Sequence, residues 1–130
     1  DPTEQNWPDR TGRCFALRWM LDAGVTLALG SDAPVAPLDP WLAMAAAVHR
    51  SADDRDPWHG EQALTVAEAL AASVDGQGTV HVGMPGDLVA LDADPLASAG
   101  ETGTADQARR LREIAPVLTV IDGRVAHTSL

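Results

Sequence analysis

The 130-residue sequence predicts an α/β chain, and three observations carry that prediction. Val25–Leu29 is a short apolar run with no polar alternation beyond Thr26, the pattern of a strand buried on both faces in a parallel sheet. On both sides of it, apolar residues recur at helical spacing between recognisable caps. After Gly76 the texture changes to short strand-like runs separated by Gly-rich turns, so α/β character over 1–75 gives way to β character over 76–130.

The elements follow in order. Residues 1–9, punctuated by Pro2 and Pro8, read as an extended entry segment. From Asp9 to Ala23, Cys14, Leu17, Met20 and Leu21 recur at helical spacing, Phe15 and Trp19 add a second i,i+4 pair, and Gly24 suits the position that ends such a helix. Asp39-Pro40 combines a helix N-cap with Pro at the first helical position, opening a helix to His49 or Arg50. Thr65-Val-Ala-Glu68 is a capping box opening a helix to Ser73. Thr79–Val82 and Asp87–Leu91 are strand candidates joined by Gly83-Met-Pro-Gly86, Asp92–Thr104 is loop, and Ala105–Glu113 is helical in composition. Val117–Ile121, Asp122-Gly123 and Arg124–His127 form a hairpin pattern around a type I′ turn dipeptide.

Composition narrows the function classes. Hydrophobic residues make up 45% of the chain, but many are Ala, and aromatics are limited to four Trp and one Phe. A net charge of −10 excludes the basic footprint that nucleic acid or an anionic membrane surface requires, and reads as solubility. The single Cys14 excludes an internal disulfide framework and a Cys-based zinc cluster. No apolar run approaches the roughly 20 residues of a spanning helix, and no secretory signal pattern is present, so a cytoplasmic location is expected. The chain begins with Asp1 rather than Met, which implies a processed, trimmed or excised polypeptide.

Gly30-Ser31-Asp32 releases a carboxylate at the end of the buried run, where an α/β enzyme places a metal ligand or a proton carrier. The alternative for Asp32 is an Asx-type turn or cap, its side chain bonded to nearby backbone N–H groups. The four histidines, His49, His59, His81 and His127, form no His-x-His, His-x-x-x-His or His-Glu-x-x-His pair, so no local metal pair exists. His49 suits a helix C-terminus, and His59, beside Trp58 in a polar loop, is the candidate substrate contact. Cys14 reads as core packing. Arg10, Arg13 and Arg18 read as solvated helix residues, with a substrate carboxylate as the alternative partner. No nucleophile elbow, Walker loop or dinucleotide fingerprint occurs.

Taken as an ordered set, the motifs resemble the amidohydrolase superfamily, in its amidohydrolase 3 branch of YtcJ-like proteins and N-acyl amino acid deacylases. Residues 23–35, Ala-Gly-Val-Thr-Leu-Ala-Leu-Gly-Ser-Asp-Ala-Pro-Val, look like the last barrel strand. Asp39-Pro-Trp, Ala-Ala-Val-His-Arg (46–50), Leu-Thr-Val-Ala-Glu-Ala-Leu (64–70), Gly83-Met-Pro-Gly-Asp-Leu-Val-Ala-Leu-Asp-Ala-Asp-Pro and Val120-Ile-Asp-Gly-Arg-Val follow in the family's order. The resemblance implies a metal-dependent (β/α)₈ barrel hydrolase of non-peptide carbon–nitrogen bonds, with a small β-sandwich. It places Asp32 as the last-strand Asp that holds the attacking water, sometimes as a metal ligand, and relays its proton to the leaving amine. The metal implied is divalent, Zn foremost, and the substrate a small amide.

The chain departs from that pattern in ways that shape the expectation. It matches only the C-terminal end, so the earlier strands with His-x-His, the bridging Lys or carboxylate and two later His have no counterpart. Ser73–Thr79 is short where a helix and loop are usual, and Gly86 stands where Ala is usual. One strand cannot close a barrel and would leave Val25–Leu29 with unpaired edges. The reading is therefore the C-terminal part of a metal-dependent amidohydrolase, inactive by itself. The alternatives are a non-catalytic remnant or a module pairing with a separate barrel chain or with itself, and an unrelated small α/β binding domain.

Overall fold

Apolar residues on three helical segments converge on one small core in the computed structural model, which describes residues 2–74, 80–97 and 103–129. The elements in chain order are α1 (Pro2–Asn6), a 3₁₀ turn (Thr11–Arg13), α2 (Leu17–Asp22), α3 (Pro40–His49), a 3₁₀ turn (Gly60–Gln62), α4 (Val66–Ala71), β1 (Leu88–Leu91), α5 (Thr104–Glu113), β2 (Pro116–Ile121) and β3 (Arg124–Thr128). The result is a mixture of helices with one small antiparallel sheet of order β1-β2-β3.

Local capping chemistry sets the helix ends. The Asp39 carboxylate accepts from the Trp41 N–H at 2.9 Å, Pro40 opens α3, and Arg50 closes it in the left-handed region at φ +61°. Thr65 and Glu68 form the expected capping box at α4. Gly24, at φ +80°, ends α2 in a Schellman arrangement: its N–H donates to Leu21 O (2.8 Å) and the Val25 N–H to Met20 O (2.9 Å).

The N-terminal third differs from expectation. The entry segment is helical at Pro2–Asn6 rather than extended, and the continuous helix from Asp9 to Ala23 is broken. Cys14 is extended and Phe15 turns left-handed at φ +52°, a conformation no α-helix accommodates, so only Leu17–Asp22 is α-helical. Leu17 and Leu21 still reach the core, whereas Phe15 and Trp19 are exposed and Cys14 is half-buried outside it.

Val25–Leu29 is not a strand. The segment keeps a two-residue burial rhythm, with Leu27 and Leu29 half-buried against the core and Thr26 and Ala28 exposed. A strand is defined by its ladder, however, and no neighbouring strand pairs with it among the described residues. Its end is held instead by a single bond from the Leu29 N–H to Ala72 O (2.9 Å), just past α4. Val80–Val82 likewise joins no ladder, and Thr79 lies outside the described residues.

The core consists of Met44, Ala45, Ala47 and Val48 on α3, Leu64, Val66 and Ala69 around α4, and Ala108, Leu111 and Ile114 on or just after α5. Four of these ten are Ala, which lets α3 and α5 pack closely at the cost of buried apolar volume. Two polar links add to it. Arg18 grips Glu68 with both guanidinium arms, Nη1 donating to Oε1 at 2.9 Å and Nη2 to Oε2, and Nη2 also donates to Ala63 O. The Gln62 carboxamide oxygen, fully buried, accepts from the Trp19 N–H at 3.3 Å.

In the sheet, Val89 pairs with Thr119 and Val120 with Val125. Asp122 and Gly123 both take positive φ (+49° and +72°), the type I′ turn that the dipeptide predicts. This tip docks on the start of β1: the Gly123 N–H donates to Gly86 O (2.9 Å) and the Asp122 N–H to the Asp87 carboxylate (2.7 Å). The approach explains Gly86, because a Cβ there would lie 2.7 Å from the Gly123 nitrogen. Among the described residues, the outer edge of β1 has no partner strand.

Two stability predictions result. Glu68 is held at about 2, against an ordinary value of 4.5, chiefly by the hydrogen bond from Arg18 and then by bonds from Thr65. A depressed carboxylate stabilises the fold fully above its ordinary value, and that contribution disappears as pH falls from about 4.5 to about 2. With a third of the side chain in solvent, the loss should be about 1–2 kcal/mol. Denaturant titrations at neutral and acidic pH should show this slope, and Glu68→Gln should flatten it while lowering stability at pH 7. Gly86→Ala should cost about 1–3 kcal/mol, because the blocking atoms are backbone and the hairpin tip must move; thermal melts of the two proteins provide the comparison.

Candidate functional site

The segment from Gly30 to Asp39 forms a turn between the extended run and α3. Main-chain bonds close it, with the Val35 N–H donating to Asp32 O (2.9 Å) and the Ala36 N–H to Ser31 O (3.2 Å). Asp32 takes φ +49°, a conformation that Asp tolerates better than most residues, and the Ala33–Pro34 peptide is cis. Its side chain is exposed and accepts no hydrogen bond among the described residues. The turn is thus built without the carboxylate, in contrast to the Asx-turn alternative.

Beside it, a cavity of about 450 Å³ runs along α3, with Leu29, Gly30, Ser31, Asp39, Arg50 and Arg112 in its wall. Asp32 follows the wall residue Ser31 directly in the chain. Arg50 is half-buried, its Cζ lies 5.9 Å from the Trp58 ring centroid, and its Nε is buried without a hydrogen-bond partner. Burial lowers the pKa of this guanidinium, while the carboxylate of Glu61 acts in the opposite sense. Arg112 comes from α5 and donates from Nη2 to Ser51 O at 3.2 Å, which sets it next to the end of α3.

His59 stands apart from Asp32, with no hydrogen bond joining the two. It takes φ +50° at the head of the second 3₁₀ turn, its Nδ1 lies 3.1 Å from Glu61 Oε1, and its ring meets Trp58 edge-on at 4.4 Å. Trp58 donates from its indole N–H to Glu4 (3.1 Å), tying α1 to this corner. Among the described residues, no group of three or more His, Cys, Asp or Glu is arranged to hold a metal ion. Asp32, the one residue read as a possible metal ligand, belongs to no such group.

His49 lies at the end of α3, as its place in the sequence suggests, and it is buried in a structural role. Its Nδ1 is 3.0 Å from Thr104 Oγ1 and its Nε2 3.0 Å from Arg55 O. A carbonyl only accepts, so Nε2 carries the proton and Nδ1 accepts from the Thr104 hydroxyl. Arg18 is neither solvated nor waiting for a substrate, because Glu68 occupies it. Sequence reasoning missed Arg50 and the cavity. The available signal was Arg at the end of an Ala-rich helix, a pattern equally typical of a solvated helix terminus.

A turn between an extended run and a helix thus leaves one carboxylate without a hydrogen bond beside a cavity, within a mixed helix and sheet fold. The chain belongs to the amidohydrolase family, whose model matches residues 4–127. It is 35% identical over 121 residues to the N-substituted formamide deformylase of Arthrobacter pascens, covering 85% of this chain and 21% of that protein. It is 32% identical over 102 residues to the putative amidohydrolase YtcJ of Bacillus subtilis strain 168, covering 68% of this chain and 19% of that protein. The chain thus spans about a fifth of the length of the curated relatives it matches. No solved structure matches it. No helix among the described residues is long and apolar enough to cross a membrane.

The buried His49 yields a prediction. His49→Leu would leave the Arg55 carbonyl and the Thr104 hydroxyl unpaired and should destabilise the chain by about 1–3 kcal/mol. Amide exchange at the start of α5 should accelerate in that variant, whereas exchange in β2 and β3 should change little.

Proposed function

We propose that this chain is the C-terminal, site-bearing part of an enzyme that hydrolyses a carbon–nitrogen bond other than a peptide bond in a small amide, in the cytoplasm. In this reading Val25–Leu29 becomes the last strand of a (β/α)₈ barrel once neighbouring strands supply its ladder. The segment after residue 76 belongs to a small sandwich domain. The observation that carries the proposal is Asp32, an exposed carboxylate with no hydrogen bond, held at the mouth of a turn that main-chain bonds alone maintain. The names of the two relatives, a formamide deformylase and an amidohydrolase, support the reaction class.

Asp32 takes a proton from the attacking water and passes it to the departing amine nitrogen. A carboxylate with free lone pairs and solvent access suits that transfer. A divalent metal, Zn foremost, would lower the water's pKa and polarise the carbonyl. The described residues do not form a metal-binding set, so in this reading the His ligands come from other polypeptide and the isolated chain is inactive. His59 is assigned to substrate contact in the assembled enzyme.

A second reading, a module that pairs with a separate barrel chain or with a copy of itself, draws on the exposed apolar residues Val80, Val82 and Val89 around the start of the sheet. The coding sequence upstream discriminates the two. A continuous frame with His-x-His and two later His supports the enzyme, and an adjacent separate frame supports the paired module.

The purified chain should contain no stoichiometric zinc and turn over no N-substituted formamide; stoichiometric metal with turnover would overturn the assignment of inactivity. In an enzyme expressed from a continuous upstream frame, Asp32→Asn should lower kcat about 10²- to 10⁴-fold while retaining the metal. Unchanged kcat would remove Asp32 from the mechanism.

A further inference from the structure

The remaining anomaly is the pair of arginines in the cavity wall. All nine basic residues of this chain are Arg, in a protein of net charge −10. Arg18, Arg55 and Arg109 each pair with carboxylates. Arg50 and Arg112 pair with none among the described residues, although both are half-buried. A guanidinium withdrawn from water needs acceptors for its donors, and the Arg50 Nε has none.

Glu61, whose charge acts on Arg50, and Asp39, in the cavity wall, are both committed elsewhere. The Glu61 carboxylate feels the charge of Arg50 but bonds to His59 rather than to the guanidinium. The Asp39 carboxylate accepts from Trp41 at the opposite end of α3, which at ten residues is about 15 Å long. Between the two ends the wall is apolar, formed by Leu29, Leu42, Ala43 and Ala46. The cavity, at about 450 Å³, has the size of a small-molecule site.

We propose that the groove along α3 binds an apolar monocarboxylate, its acid group paired with Arg50 and Arg112 and its apolar body lying towards Asp39. A planar fork on Arg50, set over Trp58, matches a carboxylate in two-pronged geometry. Arg112 adds a second positive group, fixed by its bond to Ser51 O. The carboxylate of Asp39 at the far end repels a second acid group, so the site selects one negative charge rather than two. This site stands on its own geometry and does not require the hydrolase reading.

The test uses the purified 130-residue chain and calorimetric titration with 4-phenylbutyrate, its neutral isostere 4-phenylbutanamide, and the dicarboxylate suberate. Phenylbutyrate should bind at least about tenfold more tightly than the amide and than suberate, with affinity falling as salt is raised. Arg50→Gln should weaken phenylbutyrate binding by about tenfold or more, Arg112→Gln by less, and Arg50→Lys should recover only part of the loss. Equal affinity for acid and amide on the unmodified chain would overturn the proposal whether or not the variants fold. Full retention of affinity in a folded Arg50→Gln variant would overturn it as well.

Discussion

The close contact of α3 with α5 is the constraint on which the remaining structure depends. It requires small side chains at the crossing, supplied by Ala45, Ala47 and Ala108, and it buries Met44, Val48 and Leu111 around them. His49 closes the contact by bonding both the first residue of α5 and the loop at Arg55. Without this packing Arg112 would not meet Ser51, and the cavity would lack one side of its cationic end. An Ala-rich core has little apolar area with which to hold such an arrangement, and polar links supplement it. The grip of Arg18 on Glu68 joins α2 to α4, and Gln62 pins the start of α2 from beneath.

What the sequence made legible was local. Asp39-Pro40, Thr65 with Glu68, Gly24 and Asp122-Gly123 each act through atoms a few residues away, and each forms the cap or turn its chemistry dictates. What it concealed was non-local. Val25–Leu29 has a strand's composition, but a ladder requires a partner that composition does not provide. The long first helix failed at Phe15, where the left-handed backbone leaves no trace in apolar periodicity. Glu68 was visible as a capping residue, but its second role required Arg18 to approach from a distant segment.

The candidate site divides along the same line. The position of Asp32 was legible because a carboxylate after an apolar run is a local pattern, and family resemblance gave the pattern a role. Its state was not: a carboxylate with no hydrogen bond, in a turn closed by main chain, depends on how residues 31–36 fold back. The nearby cavity assembles Phe15, the Gly30–Ser31 turn, α3 and α5, segments that no single motif connects. The candidate site is therefore split between a residue that sequence can nominate and surroundings that only the fold creates.

The unpaired edge of β1 has a colloidal consequence. Leu88-Val-Ala-Leu91 is short, apolar and partly exposed, and it lies between Asp87 and Asp92. Those flanking charges, together with the acidity of the whole chain, keep one molecule's edge from adding to another's. Charge rather than a covering strand thus guards this edge among the described residues, so resistance to strand-to-strand association depends on carboxylates that take no part in the core.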